Sequence, residues 1–261
     1  MEIRDFALTV LLSEDLDTKL APPPTPLEAL TDEAPGPAFR AAAPGRPAHL
    51  KFAPGGAADA PPVAGLHDPA QRPRILHALA NHEFQAAELF AWALLAFPDA
   101  PPDFRRGLLR ILVDEQRHTR MYLARLAEAG GRFGDHPLNG YFWRKADAIG
   151  SPLAFICAMS LTFENANLDH TIDSAEAARR AGDSKTAAVI DRVHEDEIEH
   201  VRFGWTWLQA FKREDESAWD AFRANLTFPL RPARARGRRF HREGREAAGL
   251  DPEFIRNLEE S

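Results

Sequence analysis

Glu195-Asp196-Glu197-Ile198-Glu199-His200-Val201, late in the chain, repeats the core of an earlier stretch, Val113-Asp114-Glu115-Gln116-Arg117-His118. Both contain Asp-Glu-x-x-His, which on a helix sets Glu and His at i and i+3, on one face and within reach of a single ion. A carboxylate oxygen beside an imidazole nitrogen is the donor set of iron and manganese sites inside helix bundles. The spacing alone is weak, because 20 glutamates and 10 histidines in 261 residues would give about one such pair by chance. Position has to decide.

Working outward, the apolar periodicity predicts four long helices. The first spans about 69–97, with Leu76, Ala80, Ala87, Phe90, Leu94 and Phe97 on its stripe and Glu83 in the middle of it. Pro98-Asp99-Ala100-Pro101-Pro102 stops it, and Asp103 can open the second, which carries Leu108, Leu112, Glu115, Tyr122 and Leu126 on one face and ends at Gly130-Gly131. A longer connection, partly aromatic, covers 131–150. Ser151-Pro152 is an N-cap and first-turn pair for the third helix, striped by Leu153, Cys157, Ser160, Glu164, Leu168 and Thr171. Asp183 caps the fourth, whose inner face reads Ile190, His194, Glu197, Val201, Gly204, Leu208 and Phe211.

The hairpin turns supply the missing test. An antiparallel hairpin brings together residues equidistant from its turn. Reflected through Pro98–Pro102, the pair Glu115/His118 lands near Glu83; reflected through Ala181-Gly182-Asp183, the pair Glu197/His200 lands beside Glu164. Four carboxylates and two imidazoles are thus expected at one height in a four-helix bundle. Leaving those carboxylates bare would cost far more than the roughly 5–15 kcal/mol that holds a domain together. Two metal ions are the expected compensation.

The ends differ in texture. Residues 3–20 read as one amphipathic helix, and 21–69, with twelve of the 21 prolines, as an extended arm draped over the domain or a loose linker. The expected division is 1–69 for N-terminal helix and Pro-rich arm, 70–212 for the bundle, and 213–261 for further C-terminal helices, the last opening at Asp251-Pro252. The fold class is all-α.

Composition narrows the function. A net charge of −7 argues against a general nucleic-acid binder, and a single cysteine, Cys157, leaves no thiolate cluster for zinc or iron–sulfur. The N-terminus lacks the order of a signal peptide and no apolar run is long enough for a membrane span, so a soluble, cytoplasmic protein is expected. Neither G-x-G-x-x-G nor a P-loop occurs.

At these residues the chain resembles the ferritin-like superfamily of dinuclear carboxylate proteins. More closely it is similar to the family DUF455, through Asp5-Phe6-Ala7-Leu8, His82-Glu83-Phe84-Gln85-Ala86-Ala87-Glu88-Leu89, Gly134-Asp135, Glu164…Leu168-Asp169, Ala181-Gly182-Asp183 and Asp196-Glu197…His200-Val201…Gly204. The resemblance is good over about 70–212 and loose at the N-terminal helix. It implies Glu83 and Glu164 as terminal metal ligands, Glu115 and Glu197 as bridging carboxylates, and His118 and His200 as one imidazole per ion. Glu88 is the alternative on the first helix, otherwise expected behind the ligands or at the surface.

Other residues carry two readings each. His194 is an extra or orienting ligand, or a satisfied core histidine. Tyr122 lines the cavity or simply packs; Cys157 reads as a small core residue. Asp114 and Asp196 either hold a ligand imidazole on a neighbouring helix or face solvent. Seven arginines between Arg231 and Arg245 fit a phosphate-bearing partner such as tRNA, or a solvated helix that offsets acidic surface.

The expected function is an O2-dependent oxidoreductase with a Fe/Fe or Mn/Fe pair that hydroxylates or oxidises a small organic substrate, with electrons from a reductase. The alternatives are metal sequestration without turnover and a bundle that has lost its chemistry. A homodimer is the default assembly.

Overall fold

A computed structural model describes residues 1–54, 58–227 and 229–261. Gly55, Gly56 and Ala57 of the proline-rich arm, and Phe228 in the C-terminal extension, lie outside the described residues. The described chain is helical, with no strand and two isolated bridges, Glu2 to Thr31 and Phe52 to Leu138. It divides into two compact units, Met1–Asp147 and Ala148–Ser261, each built on one helical hairpin.

In the first unit the segment expected as one N-terminal helix is two, α1 (Ile3–Leu12) and α2 (Leu16–Leu20). Local polar competition breaks it: the Asp15 N–H donates to Ser13 Oγ at 3.1 Å, and the Asp15 carboxylate accepts from Thr18 N at 2.8 Å, capping α2. The hairpin is α3 (Arg72–Ala96) and α4 (Pro102–Glu128), broken at Phe97–Pro101 by the prolines. From Glu83 to Ala96 every residue of α3 is buried, not one stripe alone. A helix buried all round needs cover on each side. Here α4 covers one side, α1 another, and the arm a third.

The arm is tied down by specific bonds. Phe39 N donates to Leu95 O at 2.9 Å. Arg105 of α4 grips Asp32 with two contacts of 2.7 Å and also donates to the carbonyls of Leu94 and Phe97, closing the C-terminal end of α3. The connection after α4 docks through Asn81 Nδ2 to Asn139 O at 3.1 Å, Ala53 N to Leu138 O at 2.8 Å, and a turn of 3-10 helix at Trp143–Ala148.

In the second unit the third long helix is not continuous α-helix. It runs as α5 (Pro152–Ala158), six residues of π-helix (Met159–Glu164) and α6 (Asn165–Arg180). Ser151 caps α5, accepting from Ala154 N at 3.1 Å. Within the π-segment Thr162 Oγ1 donates to Cys157 O, five residues back, at 2.7 Å. Wide i→i+5 winding of this kind changes where the following side chains point, and it is common at functional positions. After the turn at Gly182, which adopts φ +72°, Asp183 caps α7 (Ser184–Phe211) by accepting from Thr186 N and Oγ1 at 3.0 and 2.7 Å. Gly204 of α7 lets the π-segment close in: a Cβ there would sit 2.4 Å from Ser160 Cβ.

The C-terminal extension comprises α8 (Ala218–Ala224), a 3-10 turn at Pro232–Ala235, α9 (Arg242–Ala247) and α10 (Pro252–Glu260), the last capped by Asp251. Its anchor is a buried ion pair. Asp169 of α6 accepts from Arg245 at 2.7 and 3.0 Å and from the backbone N–H groups of Gly237 and His241 at 2.7 and 2.8 Å. The arginine run is therefore not the single solvated helix expected for it. Arg245 is fully buried, Arg239 pairs with Asp173 and Glu176, and Arg236 and Arg242 bond to Glu259, while Arg231, Arg234 and Arg238 are exposed.

Candidate functional site

The first unit brings Glu83 of α3 to Glu115 and His118 of α4, as the hairpin reflection requires. All three are buried, and each offers a ligand atom within 4.8 Å of the others. His118 Nδ1 lies 3.5 Å from Glu115 Oε2 and 3.8 Å from Glu83 Oε2.

The second unit repeats the triad. His200 of α7 faces both Glu164, the last residue of the π-segment, and Glu197 of its own helix, and all three are buried. His200 Nδ1 lies 3.7 Å from Glu197 Oε2 and 3.8 Å from Glu164 Oε1.

These separations exceed hydrogen-bond length, about 2.7–3.2 Å. Two atoms bound to one ion at about 2.1 Å lie roughly 3.0–3.6 Å apart, depending on the bond angle. Each imidazole nitrogen thus stands from both carboxylates at a distance that a shared ion closes with a shift of a few tenths of an ångström. The donor chemistry also fits: oxygen and imidazole nitrogen without sulfur suit iron or manganese. Glu197 Oε2 is fully enclosed and has no hydrogen-bond partner among the described residues, whereas its Oε1 accepts from Asn167 Nδ2 at 2.9 Å. A buried Glu/His cluster such as Glu83, Glu115 and His118 could hold a metal ion.

Glu88 is not at the surface, as one reading of its off-stripe position would have it. It is fully buried and bound to Arg46 Nη2 at 2.6 Å, Lys19 Nζ at 3.1 Å and Trp143 Nε1 at 3.1 Å. Two cations and an indole N–H already match this carboxylate, so its burial needs no ion. Burial pulls the Lys19 ammonium below its ordinary pKa, opposed by the Glu88 charge beside it.

His194 is half-buried, with Nδ1 2.8 Å from Thr171 Oγ1, the arrangement of a satisfied histidine; burial holds its pKa below the ordinary value. Asp114 pairs with Arg117 at 2.9 Å and Asp196 with Arg192 at 2.7 Å, the latter on a buried carboxylate. Tyr122 is buried two turns beyond Glu115 on α4, and Cys157 is a buried free thiol that burial pushes up in pKa.

Sequence reasoning missed Asn167, the Lys19–Glu88–Arg46 cluster and the Asp169–Arg245 pair. Asn167 carries a local signal, since it lies three residues after Glu164 on the same helix face. The ion pairs carry none, because their partners are 42 to 76 residues apart in sequence.

No helix among the described residues is long and apolar enough to cross a membrane. A family model described as "Protein of unknown function (DUF455)" matches residues 12–256. No curated protein and no solved structure matches the chain.

Proposed function

This chain belongs to the DUF455 family of proteins of unknown function, and we propose that it is a dinuclear metal oxidoreductase of ferritin-like architecture. In this reading the two triads serve one centre inside a four-helix bundle. Glu83 and Glu164 would be the terminal ligands, Glu115 and Glu197 the carboxylates shared by the ions, and His118 and His200 would supply one imidazole each. What carries the reading is the repetition. Each triad is one Glu facing a Glu-x-x-His, buried, with the imidazole nitrogen 3.5–3.8 Å from both carboxylates.

The protein's part follows from these groups. Glu197 is held at one oxygen by Asn167, which leaves the other to turn toward an ion. The packed helices exclude water, strengthening every charge interaction at the site. A bound Fe/Fe or Mn/Fe pair would supply activation of O2 for hydroxylation or oxidation of a small organic substrate. That chemistry requires a reductase as electron source.

The test is metal content after anaerobic reconstitution with ferrous iron, followed by O2 uptake. Two ions per chain and stoichiometric O2 consumption are expected, with His118→Ala and His200→Ala each lowering the ion count. An intact chain that takes at most one ion would sink the dinuclear reading. Many ions per chain in a large assembly would favour sequestration.

A further inference from the structure

The second unit contains a cavity of about 340 Å³ where α7, α8 and α10 meet, within the size range of small-molecule sites. Trp205 of α7, Trp219 of α8 and Phe254 of α10 line it. The Phe254 ring is buried, 5.0 Å from the Trp205 ring and 5.5 Å from the Trp219 ring, and the latter pair stands at 80°. Phe222, fully buried, packs against both Phe254 and Trp219, at 5.3 and 5.8 Å. Phe254 thus belongs to a fixed cluster, while the two half-buried indoles keep part of their surface open.

The remaining lining is polar and of one sign. It consists of Gln209, Ser217, Asp251, Glu253 and Asn257 with Ala218, and holds no lysine, arginine or histidine. Ser217 and Asp251 cap α8 and α10. Gln209, Glu253 and Asn257 make no side-chain hydrogen bond or ion pair among the described residues. Three rings, two carboxylates and two spare amides around one cavity suit a ligand that is positive, apolar at its surface and weakly hydrated. The negative faces of aromatic rings attract such a charge, and quaternary or alkylated ammonium groups are its usual form.

The geometry points to this cavity as a binding site for an alkylated ammonium group, with Trp205 and Trp219 against its methyl groups and Glu253 supplying the countercharge. The site is distinct from the Glu/His triads and stands whether or not they bind metal. The head group has two sources, a free small cation or an alkylated lysine side chain of a partner.

Isothermal titration of the full-length chain separates these, with choline, N-acetyl-trimethyllysine amide and 3,3-dimethylbutan-1-ol, the neutral isostere of choline, as probes. Saturable binding of at least one cation is expected, about tenfold or more tighter than the alcohol. The tighter cation identifies the source. Trp219→Leu should weaken binding about tenfold and the surface variant Glu253→Gln several-fold, with circular dichroism unchanged for the latter. Binding of neither cation, equal binding of the alcohol, or full affinity in Glu253→Gln would overturn the assignment.

Discussion

Asn167 donates from Nδ2 to Oε1 of Glu197 across 2.9 Å, fixing one oxygen of a fully buried carboxylate whose other oxygen has no hydrogen-bond partner among the described residues. Hydrogen bonds behind a metal ligand set its orientation, and their loss typically costs about 10–100-fold in affinity. Asn167→Ala should therefore weaken metal binding by about that factor. Its side chain is half-buried, so the thermal unfolding of the metal-free protein should shift little. Metal titration against a competing chelator reads the first, calorimetry the second. Unchanged affinity would remove Asn167 from the site.

Glu83 and Glu88 lie on the same helix and are both buried, but in different company. Glu88→Gln strips a charge from between Lys19 and Arg46 and should destabilise the fold by roughly 3–5 kcal/mol, as breaking a buried ion pair does. The number of ions bound by the chain that still folds should stay the same. Glu83→Gln should do the reverse, lowering the ion count with a smaller effect on chemical denaturation of the metal-free protein. The opposite pattern would make Glu88 the ligand.

Gly204→Ala tests the close approach of α7 to the π-segment. The added methyl would meet Ser160 Cβ at 2.4 Å, and overpacking of this kind costs about 1–3 kcal/mol. Because the displaced segment ends at Glu164, metal affinity should fall as well. Ser160→Gly in the same chain should restore part of both losses, measured by urea denaturation and metal titration.

His77 predicts an acid-sensitive term in stability. Its Nε2 accepts from Gly134 N at 3.0 Å, which requires a neutral ring, and the His136 ring lies 5.3 Å away. Burial first, then the charge of His136, lower its pKa to about 4 from 6.5, with Asp135 opposing. A histidine whose pKa is lower folded than unfolded contributes stability that is fully present above pH 6.5. That contribution is lost as the pH falls toward 4, because the unfolded chain takes the proton first. The wild type should lose more stability between pH 7 and 4.5 than His77→Gln, by paired denaturation curves. Equal losses would show that the ring is already charged in the fold.

Much of this architecture is written locally. The stops at Pro98–Pro102 and Gly182, the caps at Ser151, Asp183 and Asp251, and the i, i+3 spacing of Glu115/His118 and Glu197/His200 are short-range features. Helix boundaries and hairpin register follow from them, because capping and side-chain direction depend on neighbours within a turn. The buried positions of Glu83 and Glu164 were legible for the same reason, each lying as far from its turn as its partners do.

What the residues next to one another could not encode was decided by packing. Helical periodicity reports one apolar stripe, so it cannot tell that the arm and α1 bury the rest of α3, and with it Glu88 among Lys19, Arg46 and Trp143. Nor does a 3.6-residue pattern show the π-segment before Glu164, since winding adjusts to what lies across from it at Gly204. The arginine run looked like solvated charge until Asp169 drew Arg245 into the interior. Amino-acid order set the helices and the spacing of their acidic and imidazole groups. Contacts between residues far apart in the chain chose which charges were drawn into the interior together, Glu88 with Lys19 and Arg46, and Asp169 with Arg245.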